Sequence, residues 1–219
     1  MKEAFMVLPE EKQRVILDAA AAEFADCGYK EASTNRIVQA AGIGKVMLFY
    51  YFGSKLELYH ALLDQVGALM QGACERLLAP AERLGILETF QHATRVKMEL
   101  YLEHPTLFDF ITRLYLHPEE VAVTEETEWR LSALFTMRER VMKELFAQAD
   151  LTRLRKDIPQ ARLVNYLSWA MEGYTQHLTA VVRRTLAGRF SDTDFGSYWD
   201  EFDVYIADLK SMFYEEETT

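Results

Sequence analysis

Cysteine is nearly absent: of 219 residues only Cys27 and Cys74 carry thiols, far apart and in no metal-ligand spacing. That excludes a disulfide-built scaffold and a cysteine zinc site, and both read as small buried or half-buried side chains. Proline and glycine are scarce too, five and ten in all, which favours long unbroken elements. No stretch approaches the ~20 consecutive apolar residues that cross a bilayer. Met1 to Leu8 is too short an apolar run for a secretory signal, so a cytoplasmic protein with no membrane partner is expected. The sequence also lacks a nucleophile elbow, an HExxH motif and a glycine-rich phosphate loop; no enzyme is expected and no cofactor is implied. His92, His104 and His117 are too widely spaced for the i, i+4 geometry of a helical metal site, and His104-Pro105 reads as a helix bend.

What is present is helical periodicity. Half of the residues are hydrophobic, and period-2 alternation of β-branched residues is missing, so the fold is expected to be all-α with no strands. After Pro9, Ile16, Ala20 and Phe24 recur at helical spacing until Cys27-Gly28, where glycine offers a stop. Ser33-Thr34 supplies hydroxyls to cap a short helix through Ala41, and Gly42 ends it. A second short helix fits Lys45 to Tyr51, and Ser54 caps a long one from Lys55 towards Leu78. Pro80, Pro105, Pro118 and Pro159 divide the remainder into helices at 82–103, 106–116, 119–149, 159–187 and 194–214, about nine in total, with a loop over 188–194.

The net charge of −10 argues at first against a nucleic-acid partner. Its distribution does not. Residues 1–55 balance seven bases with seven acids, so the whole deficit lies beyond them, and from 28 to 56 four bases face only Glu31. A small basic face on an acidic body suits phosphate while discouraging indiscriminate DNA binding.

Residues 34–51 have the spacing of a helix-turn-helix: a bracing helix, a glycine turn, and a second helix short enough to enter a major groove end-first. Two core helices with no DNA role fit the same spacing. The segment 14–59 goes further, because it resembles the N-terminal domain of the TetR family at Ile16-Leu17, Ala19-Ala20, Phe24, Gly28-Tyr29, Ser33-Thr34, Ile37, Ala41-Gly42-Ile43, Leu48, Tyr51-Phe52 and Ser54-Lys55. The resemblance implies a three-helix DNA-binding domain at 1–54 and a larger ligand-binding and dimerisation domain at 55–219. It places Lys45, Val46, Met47 and Phe49 on a recognition helix, Ser33 and Thr34 at phosphates, Tyr50, Tyr51 and Lys55 on the DNA backbone, and Asn35 and Arg36 as further contacts. Gly44, Val46, Met47 and Phe49 depart from the family's common residues, trading polar contacts for apolar bulk. Operator positions bearing thymine methyls are the expected counterpart.

The family places a ligand cavity among the middle helices. The candidate lining is Tyr101, His104, Phe108, Phe110, Trp129, Phe135, Met137, Met142 and Trp169, which suits a small apolar or aromatic effector, although such stripes also serve as ordinary core. On the last two helices Leu163, Leu167, Ala170, Tyr174, His177 and Val181, with Trp199, Phe202, Tyr205, Ile206 and Leu209, offer more apolar surface than a peripheral pair needs. They are expected to form a homodimer interface, which the family builds as a four-helix bundle. The combined expectation is a repressor that binds a palindromic operator on double-stranded DNA as a homodimer and is released by its effector. A TetR-like module that acts through another protein remains the alternative.

Overall fold

This computed structural model describes residues 3–79, 83–117, 124–185 and 196–215; the side chains of Tyr101, Leu178, Thr179, residues 181–185 and Ser197 also fall outside the described set. The candidate residues Tyr101 and Val181 are therefore not placed, nor is the loop expected at 188–194. The described residues are helical, with two isolated bridge pairs and no strand. The first five helices are α1 (Glu3–Met6), α2 (Glu10–Glu31), α3 (Thr34–Ala41), α4 (Lys45–Phe52) and α5 (Lys55–Leu78). They are followed by α6 (Ile86–Glu103), α7 (Pro105–Leu116), α8 (Glu125–Ala147), α9 (Gln160–Thr185) and α10 (Gly196–Phe213). Among the described residues, no helix is long and apolar enough to cross a membrane.

The punctuation residues act where their chemistry predicts, with three differences: Ser33 stands at the N-cap of α3 without a side-chain cap bond, and Gly28 and His104-Pro105 also depart from expectation. Gly42 closes α3 at φ 64°, and Ser54 Oγ accepts the Glu57 N–H at 3.1 Å to cap α5. Gly28, expected to stop α2, sits at φ 68° and ψ 172° as a kink, and one more turn follows to Glu31. At His104-Pro105 the chain does not bend within one helix: α6 ends at Glu103 and Pro105 takes the first position of α7, where its missing N–H costs nothing. The short α1 was not foreseen, because four residues are too few to show a period.

The chain divides into two compact units. One takes the chain as far as Ala73 together with Leu100–Glu139. Here α7 lies against α2, and the rings of Phe24, Tyr59 and Phe110 meet edge-on or tilted, Tyr59 lying 5.0 Å from Phe24 and 5.5 Å from Phe110. Arg113 donates from Nη1 to the carbonyls of Ala25 (3.0 Å) and Asp26 (3.3 Å), tying α7 to the last turns of α2. The other unit takes Cys74–Glu99 with the chain from Arg140 onward. Its core joins Ile86, Leu87 and Leu154 to Leu163, Leu167, Phe202 and Ile206. Tyr214 locks the C-terminal end, donating to Glu88 Oε2 at 2.6 Å and accepting the Leu87 N–H at 3.2 Å.

Candidate nucleic-acid interface

A helix-turn-helix works only if its second helix is braced from behind and bare in front. Here α4 has eight residues, and Leu48, Tyr51 and Phe52 turn inward into the unit's core. On the other side Val46 is 81 % exposed, Met47 41 % and Tyr50 56 %, with Lys45 also exposed. Phe49 is half-buried between the two faces. Gly44 stands at the N-cap and contributes no side-chain bond, so the first-turn N–H groups of α4 keep no side-chain acceptor of their own. Together these features give α4 a positive, largely apolar leading end.

The turn preceding α4 is built by backbone geometry. A Cβ added to Gly42 would meet nothing within 4 Å, so its left-handed φ of 64°, and not crowding, is what calls for glycine. Gly42 N–H donates to Gln39 O at 3.3 Å and Ile43 N–H to Val38 O at 3.1 Å, closing the last turn of α3. Ile37 and Ala41 face the core, while Asn35 and Gln39 face outward.

The start of α3 is held by a residue that the sequence pattern did not reveal. Ser33 occupies the N-cap but makes no side-chain cap bond; its N–H donates instead to Glu23 Oε1 at 2.7 Å. The same carboxylate accepts from Arg36 Nε at 2.9 and 3.0 Å. Burial pushes the Glu23 carboxyl up, but the Arg36 guanidinium and the Ser33 N–H outweigh it and hold it below the usual carboxylate range. Arg36 also donates to Glu31 O at 2.9 Å. Its guanidinium is engaged within the chain, so among the candidate contacts it acts as a brace.

Lys55 is engaged in a similar way. Its Nζ donates to the carbonyls of Tyr29 (2.8 Å), Lys30 (3.2 Å) and Ala32 (3.1 Å) and lies 4.7 Å from the Tyr29 ring centroid. An ammonium at the end of α2 satisfies carbonyls that the helix leaves unpaired and complements its dipole. Tyr51 is buried, its ring 5.8 Å from Phe5. The exposed candidates thus gather at two places, Asn35 and the clasped Arg36 beside half-buried Ser33 and Thr34 at the start of α3, and Lys45, Val46, Met47 and Tyr50 along α4.

The candidate effector residues do not share one environment. Phe110 is core, Phe108 is buried, and Phe135 packs on that core with its ring 5.0 Å from Tyr115. Met137 and Met142 are half-buried, whereas His104, Trp129 and Trp169 are exposed. Among the described residues no group of three or more His, Cys, Asp or Glu is placed to hold a metal ion.

The residues expected at a dimer interface divide by face. Leu163, Leu167, Tyr174, Phe202, Ile206 and Leu209 are buried inside a single chain, and Ala170, Trp199 and Tyr205 pack against that core. Tyr174 and Tyr205 stack at 4.5 Å, and burial pushes the Tyr174 phenol up to about 12. His177 is exposed, with Nε2 3.9 Å from Glu201 Oε1. An apolar stripe in a sequence does not say which neighbour covers it; here Ile86, Leu87, Phe90 and Leu154 of the same chain do. The outward face of the same two helices carries Tyr166, Trp169, Val204 and Met212.

Comparison with known proteins agrees with this geometry. Residues 16–62 match the family described as bacterial regulatory proteins, tetR family. The chain is 28 % identical over 176 residues to the HTH-type transcriptional repressor AcnR of Corynebacterium efficiens, covering 78 % of this chain and 83 % of that one. It is 42 % identical over 72 residues to the HTH-type transcriptional activator FasR of Mycolicibacterium smegmatis, covering 32 % of this chain and 33 % of that one. Among solved structures, AibR in complex with isovaleryl coenzyme A and operator DNA superposes with a TM-score of 0.59 at 18 % identity, over 93 % of this chain and 98 % of that one. That last likeness concerns the fold alone.

Proposed function

We propose that the chain is a DNA-binding transcriptional regulator of the TetR type, a repressor that binds a palindromic operator as a homodimer and releases it when a small effector binds. The observation that carries this reading is the two-sidedness of α4: core-bound through Leu48, Tyr51 and Phe52, bare at Lys45, Val46, Met47 and Tyr50. Lysine donates to guanine O6 and N7, and apolar side chains suit thymine methyls. Ser33, Thr34 and Asn35 at the start of α3 serve the phosphates, where hydroxyls and helix N–H groups meet negative charge.

One two-turn helix specifies too little sequence, so a pair is needed. Two recognition helices about 34–36 Å apart would read half-sites one turn of B-DNA apart. Pairing through the outward face of α9 and α10, at Tyr166, Trp169, Val204 and Met212, would bury apolar surface that a lone chain leaves wet. The functional division is then 1–54 for reading DNA and 55–219 for effector binding and pairing. Release requires that the effector bind the non-reading arrangement more tightly than the reading one. A small apolar or aromatic compound, or an acyl thioester of the kind AibR holds, is the class to screen first.

The test is a titration of labelled operator duplex with and without effector. A drop in affinity at effector saturation supports the reading, and affinity unchanged by every effector of that class rejects release by such a ligand. Sequence-specific binding whose strength falls steeply with salt supports phosphate contact and argues against a module that works only through another protein.

A further inference from the structure

Among the described residues ahead of α2, Phe5 alone is fully buried, at 0 % exposure. Its ring lies 4.8 Å from Phe52 and 5.8 Å from Tyr51, on the inner side of α4. A single turn such as α1 has no stability of its own. It is held in place by the chain that follows: Leu8 N–H donates to Phe5 O at 3.1 Å, and the Gln13 amide donates from Nε2 to Met6 O at 3.2 Å and Leu8 O at 2.8 Å. Ala4 and Leu8 pack on the same core. Residues 4 to 8 therefore form a built wedge.

The wedge matters because of what it touches. An eight-residue helix is too short to persist alone, so the pose of α4 is set by whatever supports its back. Its principal neighbours are α3, the expected brace of a helix-turn-helix, and α1. The two Phe5 contacts fall on the last turn of α4, opposite in the chain to the Gly44 end that carries Lys45, Val46 and Met47. A shift at that last turn tilts the leading end.

We propose that Phe5 is a positioning residue for DNA reading, a strut acting through Tyr51 and Phe52 that fixes how α4 presents Lys45, Val46 and Met47, without touching DNA itself. This rests on the DNA-reading role of α4 argued above. Loss of the strut lowers the fraction of time that α4 spends in the reading pose. Sequence-specific affinity depends on that fraction, whereas attraction to phosphates in general does not.

The experiment compares full-length wild type, Phe5→Ala, Phe5→Leu and Gln13→Ala by two readouts: the ratio of operator to non-specific affinity, and hydrogen exchange of α4 amides relative to α7. If the reading pose falls to roughly a tenth of its occupancy, Phe5→Ala loses about tenfold in operator affinity while low-salt non-specific binding holds. Its α4 amides exchange faster and its α7 amides do not. Phe5→Leu recovers most of the loss, and Gln13→Ala moves both readouts in the same direction by less. A folded Phe5→Ala with an unchanged ratio and unchanged α4 exchange overturns the proposal. Exchange raised equally in α4 and α7 also overturns it, because Phe5 would then be ordinary core. If Phe5→Ala does not fold, Gln13→Ala decides, and wild-type behaviour there overturns the strut. Failure of the wild type to select any duplex sinks the DNA reading instead, and α4 exchange still judges the strut.

Discussion

Arg36 is turned back onto Glu23, its Nη2 2.5 Å from Oε1, so that α2 and α3 are clasped through a carboxylate thirteen residues upstream. The same carboxylate receives the Ser33 N–H, and the clasp thereby fixes the start of α3, where Ser33, Thr34 and Asn35 are proposed to meet a phosphate.

The clasp gives the protein an acid-sensitive joint. Glu23 has a folded-state pKa held below its ordinary value, so its contribution is fully present above the unfolded pKa, near about 4.3 for a glutamate, and is lost as pH falls through the lowered folded value. Wild type is expected to lose stability on acidification below about pH 4, with Glu23→Gln flattening that limb. Thermal midpoints measured at pH 3.5–7 check this; equal slopes for both proteins would remove Glu23 from the account.

Lys45 and Lys55 should part company in salt. Lys45 is exposed at the tip of α4, whereas Lys55 spends its ammonium on three carbonyls. Lys45→Gln is expected to reduce the slope of log affinity against log salt by about one. Lys55→Gln is expected to leave that slope in place and to cost about 1–2 kcal/mol of stability, as lost hydrogen bonds from a charged group do. Operator titrations at several salt concentrations, with denaturant melts, measure both; a slope reduced in Lys55→Gln would return it to the phosphate contacts.

Val46 and Met47 predict what the operator contains. Apolar side chains this exposed gain by covering thymine methyls in the major groove. Uracil substituted for thymine at the half-site positions nearest α4 should weaken binding, and Val46→Ala with Met47→Ala should abolish the difference. Affinity indifferent to the methyl would refute this.

Two substitutions on neighbouring faces of the C-terminal helices separate core from pairing. Leu167, fully buried in the chain, should cost about 2–5 kcal/mol on change to alanine, as large-to-small core changes do. Val204→Asp, on the outward face, should leave the fold intact and yield monomers in light scattering with weak operator binding. A folded dimer from Val204→Asp would place the pairing surface elsewhere.

What the sequence revealed and what it hid follow from range. The turn at Gly42, the start of α4 at Lys45 and the start of α5 at Lys55 depend on residues within a few positions of one another, and all three appear where glycine, serine and periodicity indicate; α3 also begins at Thr34 as expected, but Glu23 holds that start and the Ser33 hydroxyl does not. The Glu23–Arg36 clasp, the Lys55 cap and the Phe5 contact join residues far apart in the chain, and nothing in a local pattern marks them. The same blindness explains Leu163 and Leu167: periodicity shows that a stripe is apolar, while the partner that covers it belongs to the tertiary fold.

The most direct test of the central claim is selection from a random duplex library by the purified protein at near-physiological salt. A dimeric reader of DNA enriches a palindrome with half-sites about one helical turn apart. A folded, dimeric protein that enriches no motif would contradict the claim.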